Sequence, residues 1–250
     1  MRNQKSKLNF FFFTSVVAIL IWMMSPTVKG YSKDEINSFP LAEYEARYSV
    51  NWLGIYTGES VHRLSRVKNG QFHFEAKTEP NLRILPYHSV ESTDFAWDGN
   101  EILPQNYYYN IHEGTRHKKG NVAFNWQSYK VHNPSTPEKW ETTIAQGTQD
   151  KLTQTLCLRQ ALLKGDTSLN FMVAEHDKLK SYRFIILGEE RLNTKIGTLD
   201  TIKVEHISRK GHRTTMWFAK KFDYLPVKMA QSRRGKQVAG GEILSFTTKQ

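Results

Sequence analysis

The nine histidines are the residues best suited to bind a metal ion or to move a proton near neutral pH. The closest pairs in the sequence are His112 with His117 and His206 with His212. Neither pair has the His-Glu-x-x-His spacing of a zinc-binding helix, and both flank basic turns that would repel a divalent cation. The sequence therefore predicts no metal site.

Carboxylates and nucleophiles give no stronger indication of catalysis. Glu189 and Glu190 are adjacent, so on a strand they would point to opposite faces and could not act as a pair. Asp98 is explained by the turn that it forms with Gly99. The chain contains no Gly-x-Ser-x-Gly elbow, phosphate loop or paired-cysteine motif. We therefore expect a protein that is not an enzyme and needs no cofactor.

Aromatic residues on predicted strands are the first candidates for ligand binding. Bulky inward residues of a half-closed β-barrel commonly surround one ligand, which here would be a lipid or glycolipid. Plain core packing is the alternative interpretation. The predicted cavity residues are Trp52, Tyr56, Trp97, Tyr107, Tyr109, Trp126 and Trp217. In the run from Tyr107 to Tyr109 side chains alternate between faces, so at most two of the three would share a cavity.

Three basic turns are the second candidate. If they lie together at one end of the sheet, they would form a patch for phosphates or acidic sugars. Three unrelated, solvated hairpin tips are the alternative. The patch residues would be Arg116, Lys118 and Lys119 in the first turn, Arg209, Lys210 and Arg213 in the second, and Arg233, Arg234 and Lys236 in the third.

Short alternating strands separated by turn residues dominate the chain. Asn69-Gly70 is a strong hairpin signal because both residues accept the positive φ angles of a type I′ turn, and Asp98-Gly99 marks a second hairpin. About eleven such segments occur, without alternation between strands and helices. The pattern predicts one antiparallel sheet system.

One segment has helical periodicity. Leu152, Leu156, Leu162 and Leu163 fall on roughly one face of a helix of about 14 residues, which Asp150 or Thr148 would cap. Gly165 would end it. A single helix in a β-rich chain must bury its apolar stripe, so we expect this helix to plug or cover the open sheet.

A pattern recurs in the two halves of the chain. Trp97 is followed by a polar turn and Leu103-Pro104, and Trp217 is followed by a polar turn and Leu225-Pro226. A basic turn and a further strand follow each Leu-Pro pair. The pattern indicates a weak internal duplication with the helix between the halves, and chance resemblance is the alternative.

The amino terminus predicts export. Three basic residues precede an apolar stretch over residues 8–24, and Pro26 ends it before a signal-peptidase site after Gly30. Residues 1–30 are thus predicted to be a cleaved signal peptide, and residues 31–250 a single β-rich domain in the periplasm. The alternative is an inner-membrane anchor formed by residues 8–24.

Charge and cysteine content limit the partners. Residues 1–30 carry four of the 35 Lys and Arg residues and no acid, so the mature chain keeps a formal charge of +7. This charge favours an anionic membrane surface, an anionic glycan or an acidic envelope protein over nucleic acid, although it would also serve solubility alone. The single cysteine, Cys157, excludes an intramolecular disulfide and is predicted to be a core residue.

An ordered set of segments resembles the exported bacterial domain-of-unknown-function family 3108 (DUF3108). The resemblance covers nearly all of the mature chain, and its most specific parts are residues 147–150 and 217–226. The segments are YEARYSVNWLGIYTGE, STDFAWDGNEILPQNYYY, FNW, GTQDKLTQTLCLRQALLKG, YRFIILGEERLNTKIGTLDTIKVEH and MWFAKKFDYLPVKM. The Trp to Leu-Pro hairpin is more distantly similar to that of periplasmic lipoprotein carriers, whose incomplete β-barrels hold acyl chains under a helical lid. The resemblance implies a spiral or partly open antiparallel barrel and brings no established activity.

Three hypotheses for function follow. The first is non-enzymatic binding of a lipid or amphipathic envelope component inside the partly open barrel. The second is a protein–protein adaptor in envelope assembly, which would show a filled barrel and an exposed apolar patch. The third is a hydrolase of envelope polymer, which would need convergent carboxylates or a histidine with a perturbed pKa in a cleft.

Overall fold

The computed structural model describes residues 38–81, 87–136 and 139–249. The predicted signal peptide and its cleavage site lie outside these ranges. Within them, no helix is both long and apolar enough to cross a membrane.

Fourteen strands and one α-helix make up the described chain. The first eight strands are β1 (Tyr44–Trp52), β2 (Ile55–Arg66), β3 (Phe72–Pro80), β4 (Tyr87–Trp97), β5 (Ile102–Glu113), β6 (Arg116–Asn125), β7 (Lys130–His132) and β8 (Glu141–Thr143). The helix α1 (Thr153–Lys164) follows them. The remaining strands are β9 (Leu169–Ala174), β10 (Leu179–Thr194), β11 (Gly197–Ile207), β12 (Arg213–Ala219), β13 (Leu225–Arg233) and β14 (Lys236–Thr248).

All fourteen strands belong to one sheet in the order β8-β7-β6-β5-β4-β3-β2-β1-β14-β13-β12-β11-β10-β9. Each half of the chain is an antiparallel meander, and the pairing of β1 with β14 joins the two halves. The end strands β8 and β9 do not pair with each other, so the sheet is not closed. The prediction of a mainly β, antiparallel, partly open fold with one central helix is confirmed.

Alternating side chains build the core. Tyr44 and Ala46 on β1 and Phe72 and Phe74 on β3 are buried, while residues between them are more exposed. These inward residues and their counterparts on β10–β14 form the largest apolar cluster, which Leu156 of α1 joins. Because the helix and these side chains occupy the space inside the curved sheet, the interior is a packed core.

Turn chemistry was predicted well where the turn residues are typical. Asn69 and Gly70 have φ angles of 62° and 73°, as the Asn-Gly signal predicts. Asp98 closes the β4–β5 turn by accepting hydrogen bonds from the amides of Asn100 and Glu101 at 2.8 and 2.7 Å. The number of strands was underestimated, since residues 44–66 form two strands that reverse at Leu53-Gly54, and β7 and β8 have only three residues each.

The predicted position and ends of the helix are confirmed, and the prediction of its buried face is partly wrong. Asp150 accepts hydrogen bonds from the amides of Leu152 and Thr153 at 2.7 and 2.8 Å, and Gly165 ends the helix with a φ of 77°. Leu163, which the periodicity placed on the buried face, is 40% exposed. Leu158, which it missed, is fully buried against strands of the second half.

The two Leu-Pro hairpins have matching registers. In the β4–β5 hairpin Phe95 lies opposite Pro104, and in the β12–β13 hairpin Phe218 lies opposite Pro226. Both phenylalanines are fully buried. In each hairpin the register shifts immediately before the phenylalanine, as at a β-bulge. A duplicated bulge and hairpin therefore support the predicted duplication.

The alignment of the duplication by its tryptophans is wrong. Trp97 follows Phe95 by two residues, whereas Trp217 precedes Phe218 by one. Their surroundings also differ, since Trp97 contacts Phe39 and the indole Nε1 of Trp217 donates to Glu190. The two tryptophans suggested the alignment, but the geometry that the two hairpins share is that of the Phe-Ala pair before each turn.

Candidate functional site

The seven predicted cavity residues lie in three separate places. Trp52 and Tyr56 are exposed at the β1–β2 tip, with 48% and 44% of their surfaces accessible. Trp97 and Trp217 pack into or against the largest apolar cluster. A second cluster between the two ends of the sheet contains the remaining three, Tyr107, Tyr109 and Trp126. The seven side chains therefore do not surround one cavity.

An open groove crosses the outward face of β4, β5 and β6. Its volume is about 630 Å³, within the range of small-molecule sites. Val90, Asn110 and Lys119 are cross-strand partners, and the next row on the same face holds Ser92, Tyr108 and Asn121. Tyr109, Gly120 and Ser135 complete the lining. Of the predicted cavity residues only Tyr109 contributes, and of the predicted patch only Lys119.

Polar groups in the groove are incompletely paired. The Oδ1 atom of Asn121 is buried and accepts no hydrogen bond from any described residue. Lys119 is exposed and forms no ion pair within the described ranges. Tyr108 keeps 42% of its surface accessible. The groove thus offers a positive charge and an aromatic ring to a ligand with anionic and apolar parts, whereas the buried Oδ1 of Asn121 is not accessible from it.

Gly120 allows Tyr109 and Ser135 to pack closely against β6 behind this groove. A Cβ atom at this position would lie 2.6 Å from the Tyr109 hydroxyl oxygen and 2.7 Å from the Ser135 Cβ. The Tyr109 hydroxyl in turn accepts a hydrogen bond from Asn133 Nδ2 at 2.9 Å. The alternation in Tyr107-Tyr108-Tyr109 predicted that at most two rings would share a site, and the single outward ring is the groove residue that the sequence prediction missed.

All three basic turns lie at the same end of the sheet. Because neighbouring strands are antiparallel, every second turn of a meander lies at the same end of the sheet. The β5–β6, β11–β12 and β13–β14 turns all lie at that end. The second and third turns belong to adjacent hairpins, in which Arg213 lies opposite Ser232. The first turn is separated from them by β1 to β4. The nine residues therefore form one contiguous pair of turns and a separate cluster beside the groove.

A polar cluster lies where the two ends of the sheet approach each other. Tyr107 donates a short hydrogen bond to Glu91, whose carboxylate also lies 3.5 Å from Lys151 Nζ. The ring of His176 lies 4.1 Å from that of Tyr109, and burial lowers the pKa of His176 to about 4. The buried Nε2 of His176 has no hydrogen-bond partner among the described residues.

A second carboxylate of this cluster is also engaged. Glu175 accepts a short hydrogen bond from Tyr182 and pairs with Lys180 at 2.5 Å. Although burial opposes it, these donors together lower the pKa of Glu175. Across the residues described, no three His, Cys, Asp or Glu side chains are grouped as metal ligands. The expectation that the chain is not an enzyme stays a prediction.

Comparison with known proteins supports the fold. No protein with curated annotation matches this chain. A crystal structure of a beta-barrel-like protein from Brucella abortus, described as the domain of unknown function DUF1849, is similar with a TM-score of 0.57 and 9% sequence identity. The similarity covers 85% of this chain and 100% of that chain, and at this identity it shows the fold alone. The family model described as "Protein of unknown function (DUF3108)" matches residues 43–234, and the chain belongs to this family.

Proposed function

We propose that this chain is a non-enzymatic periplasmic protein that binds the polar part of an anionic, amphipathic envelope component, such as a lipid or glycolipid. The observation that carries the proposal is the groove on β4–β6, which is lined by the exposed ring of Tyr108 and by Lys119, an exposed lysine without an ion pair among the described residues.

The lining favours a headgroup over a buried acyl chain. Lys119 supplies the charge for a phosphate or carboxylate, and Tyr108 offers a ring on which a sugar or a short apolar segment can stack. The interior is filled by α1 and the main core, so we place the ligand in the outward groove instead of inside the barrel.

Native mass spectrometry of residues 31–250, purified from the periplasm of an expressing bacterium, tests this proposal. We expect an adduct in the mass range of a lipid, which solvent extraction removes. Tyr108→Ala and Lys119→Gln should each reduce the adduct. The matched controls are Tyr87→Ala, an exposed tyrosine on β4 outside the groove, and Lys118→Gln, the neighbouring lysine on the opposite face of β6. A clean mass for the wild type, or equal losses in controls and groove variants, would contradict it.

An adaptor is the second candidate, and one exposed apolar run supports it. Ile185, Ile186 and Leu187 on β10 are 44%, 37% and 50% exposed, and Met172 on the end strand β9 is 41% exposed. Crosslinking in cells from a photoreactive residue at position 185 tests this role. A specific envelope protein captured there, and not from position 129 at the other half of the sheet, would support it.

A further inference from the structure

Three adjacent hairpins place their tips side by side at one end of the sheet. The tips are residues 52–56 between β1 and β2, 231–238 between β13 and β14, and 207–213 between β11 and β12, and we call them together the basic rim. The amide of Leu53 donates to the carbonyl of Val238 at 3.0 Å, which joins the first two tips. With a strand spacing of about 4.8 Å, these six strands span roughly 24 Å.

The first tip is apolar and exposed. Leu53 and Ile55 are each 63% exposed, and Trp52 and Tyr56 stand on either side of them. No described core cluster includes any of these four side chains. Trp and Tyr are the residues that proteins place at membrane interfaces, because their rings are apolar and their polar atoms remain in contact with headgroups.

The conformation of Leu53 is unfavourable for its residue type. Leu53 has a φ of 50° and Gly54 one of 83°, the pair of positive values of a type I′ turn. Leucine pays a steric penalty in this region, whereas asparagine tolerates it. At the opposite end of the sheet the equivalent position of the β2–β3 turn is Asn69. A leucine that is exposed and conformationally disfavoured indicates a role other than stabilising the fold.

The other two tips are basic and contain no acidic residue. The basic rim contains six Lys and Arg residues and no Asp or Glu. Arg213 pairs with Glu205 on β11, and the other five form no ion pair with a described residue. The turns at the opposite end, residues 67–71, 98–101, 195–196 and 220–224, carry four Lys and three Asp or Glu. The β9–β10 turn at the same end as the rim carries Glu175 and Asp177, so the positive charge is concentrated in the three tips of the basic rim and not in that whole end.

We propose that the basic rim docks the protein onto the surface of an anionic bilayer. The tip around Leu53 enters the headgroup region, and the turns around Arg209 and Arg234 contact lipid phosphates. An apolar tip flanked by unpaired basic residues is the combination that holds peripheral proteins on such surfaces, since neither contribution alone is sufficient. This inference is independent of the groove, which lies on other strands.

Flotation with phosphatidylcholine vesicles, with and without about one third phosphatidylglycerol, tests the proposal. Residues 31–250 are used, because every described element lies between Tyr44 and Thr248 and residues 1–30 carry their own apolar segment. We expect binding to the anionic vesicles that weakens with added salt. The double variant Leu53→Asn with Arg234→Asn should bind at least about tenfold more weakly.

Both substitutions place asparagine where φ is positive, so the variant should melt at or above the temperature of the wild type. Lost binding then reports the surface and not unfolding. The matched control, Val67→Asn with Lys195→Asn, removes one apolar and one basic residue at the opposite end and should bind like the wild type. Lys119→Gln should also keep vesicle binding. Equal binding by the Leu53 and Arg234 variant, or capture of an acidic protein without any vesicle binding, would overturn the proposal.

Discussion

Asp150 combines a structural role with an unusual ionisation. Its two carboxylate oxygens accept hydrogen bonds from the amides that begin α1 and from Thr93 Oγ1 at 2.6 Å. Burial raises the pKa of this carboxyl to about 6, although these hydrogen bonds partly oppose the rise. The folded protein therefore holds a proton on Asp150 at a pH where the unfolded chain has already lost it.

Replacing Asp150 by Asn should change how stability depends on pH. A raised pKa in the folded state makes the contribution of Asp150 to the free energy of unfolding decrease as the pH rises from 3.8 to about 6. The decrease is on the order of 3 kcal/mol, because each pKa unit corresponds to about 1.4 kcal/mol. An Asn side chain can keep both contacts to the helix amides without titrating.

Urea unfolding of wild type and Asp150→Asn across this pH range measures the effect. The difference between the two proteins isolates Asp150, because His62, whose pKa burial lowers to about 4, acts in the opposite direction in both. We expect the variant to gain stability relative to the wild type as the pH rises. A constant difference across the range would mean that Asp150 titrates normally.

The residue types predicted which side chains could bind a ligand, but not which of them face the solvent. Trp52 and Tyr56 fit an inward strand pattern, yet they are exposed at the β1–β2 tip. The groove is assembled from residues of β4, β5 and β6 together with Ser135 from the segment after β7. Such a site arises from register, which a single sequence specifies only weakly.

At the scale of elements, α1 acts as the internal support of the sheet. Leu156 packs with residues of both halves, and Leu158 and Leu162 pack against β9–β12. Cys157 packs on the main core, where burial raises the pKa of its thiol, so its predicted role as a core residue is confirmed. Because the helix contacts both meanders, its removal would leave a large apolar surface exposed.

Two leucines of α1 provide a matched test of this support. Leu156→Ala should destabilise the protein by roughly 2–5 kcal/mol, because the residue is fully buried and its neighbours cannot collapse completely. Leu163→Ala, at a position that is 40% exposed, should cost less than about 0.5 kcal/mol. Thermal or urea unfolding measures both, and similar losses would show that the helix merely rests on the sheet.

Element boundaries were predictable where local chemistry decides them. Asn-Gly, Asp-Gly and Gly after a helix all specify a backbone conformation, and each was found as predicted. The Leu53-Gly54 reversal was missed, because leucine is not a turn residue and the surrounding alternation continues through it. The buried face of α1 was misjudged at Leu163, since the sheet curves around the helix and contacts it on more than one side.

At the scale of the whole molecule, the two ends of the sheet are held together without strand pairing. Asn133, which follows β7 and is fully buried, donates to the Tyr109 hydroxyl at 2.9 Å and to the carbonyl of His176 at 2.5 Å. Gln149 also extends β9 through a parallel bridge with Val173. We call the place where the two ends of the sheet meet the seam. A few side-chain and bridging contacts hold the strands together there, as backbone hydrogen bonds between paired strands do elsewhere.

The fold class could be predicted from the sequence, but the pairing that joins the two halves of the sheet could not. Alternation and turn spacing specify an antiparallel meander, and the repeated Leu-Pro hairpin indicates two halves. The pairing of β1 with β14 joins residues about 200 positions apart in the chain, with Tyr44 opposite Thr248. No local pattern encodes such a contact, because any two edge strands with apolar alternation would satisfy it.

Asn133→Ala should open the seam while leaving the centre of the sheet intact. The substitution removes both donated hydrogen bonds and leaves buried acceptors unpaired, at a cost of about 1–3 kcal/mol. We expect faster hydrogen exchange in β7, β9 and the β9–β10 turn, with little change in β1 and β14, because the central pairing does not depend on the seam. Asn170→Ala, which removes an exposed hydrogen bond to Ser168, is the control and should leave exchange at the seam unchanged. Uniformly faster exchange throughout the sheet would instead show that its two ends and its centre unfold as one cooperative unit.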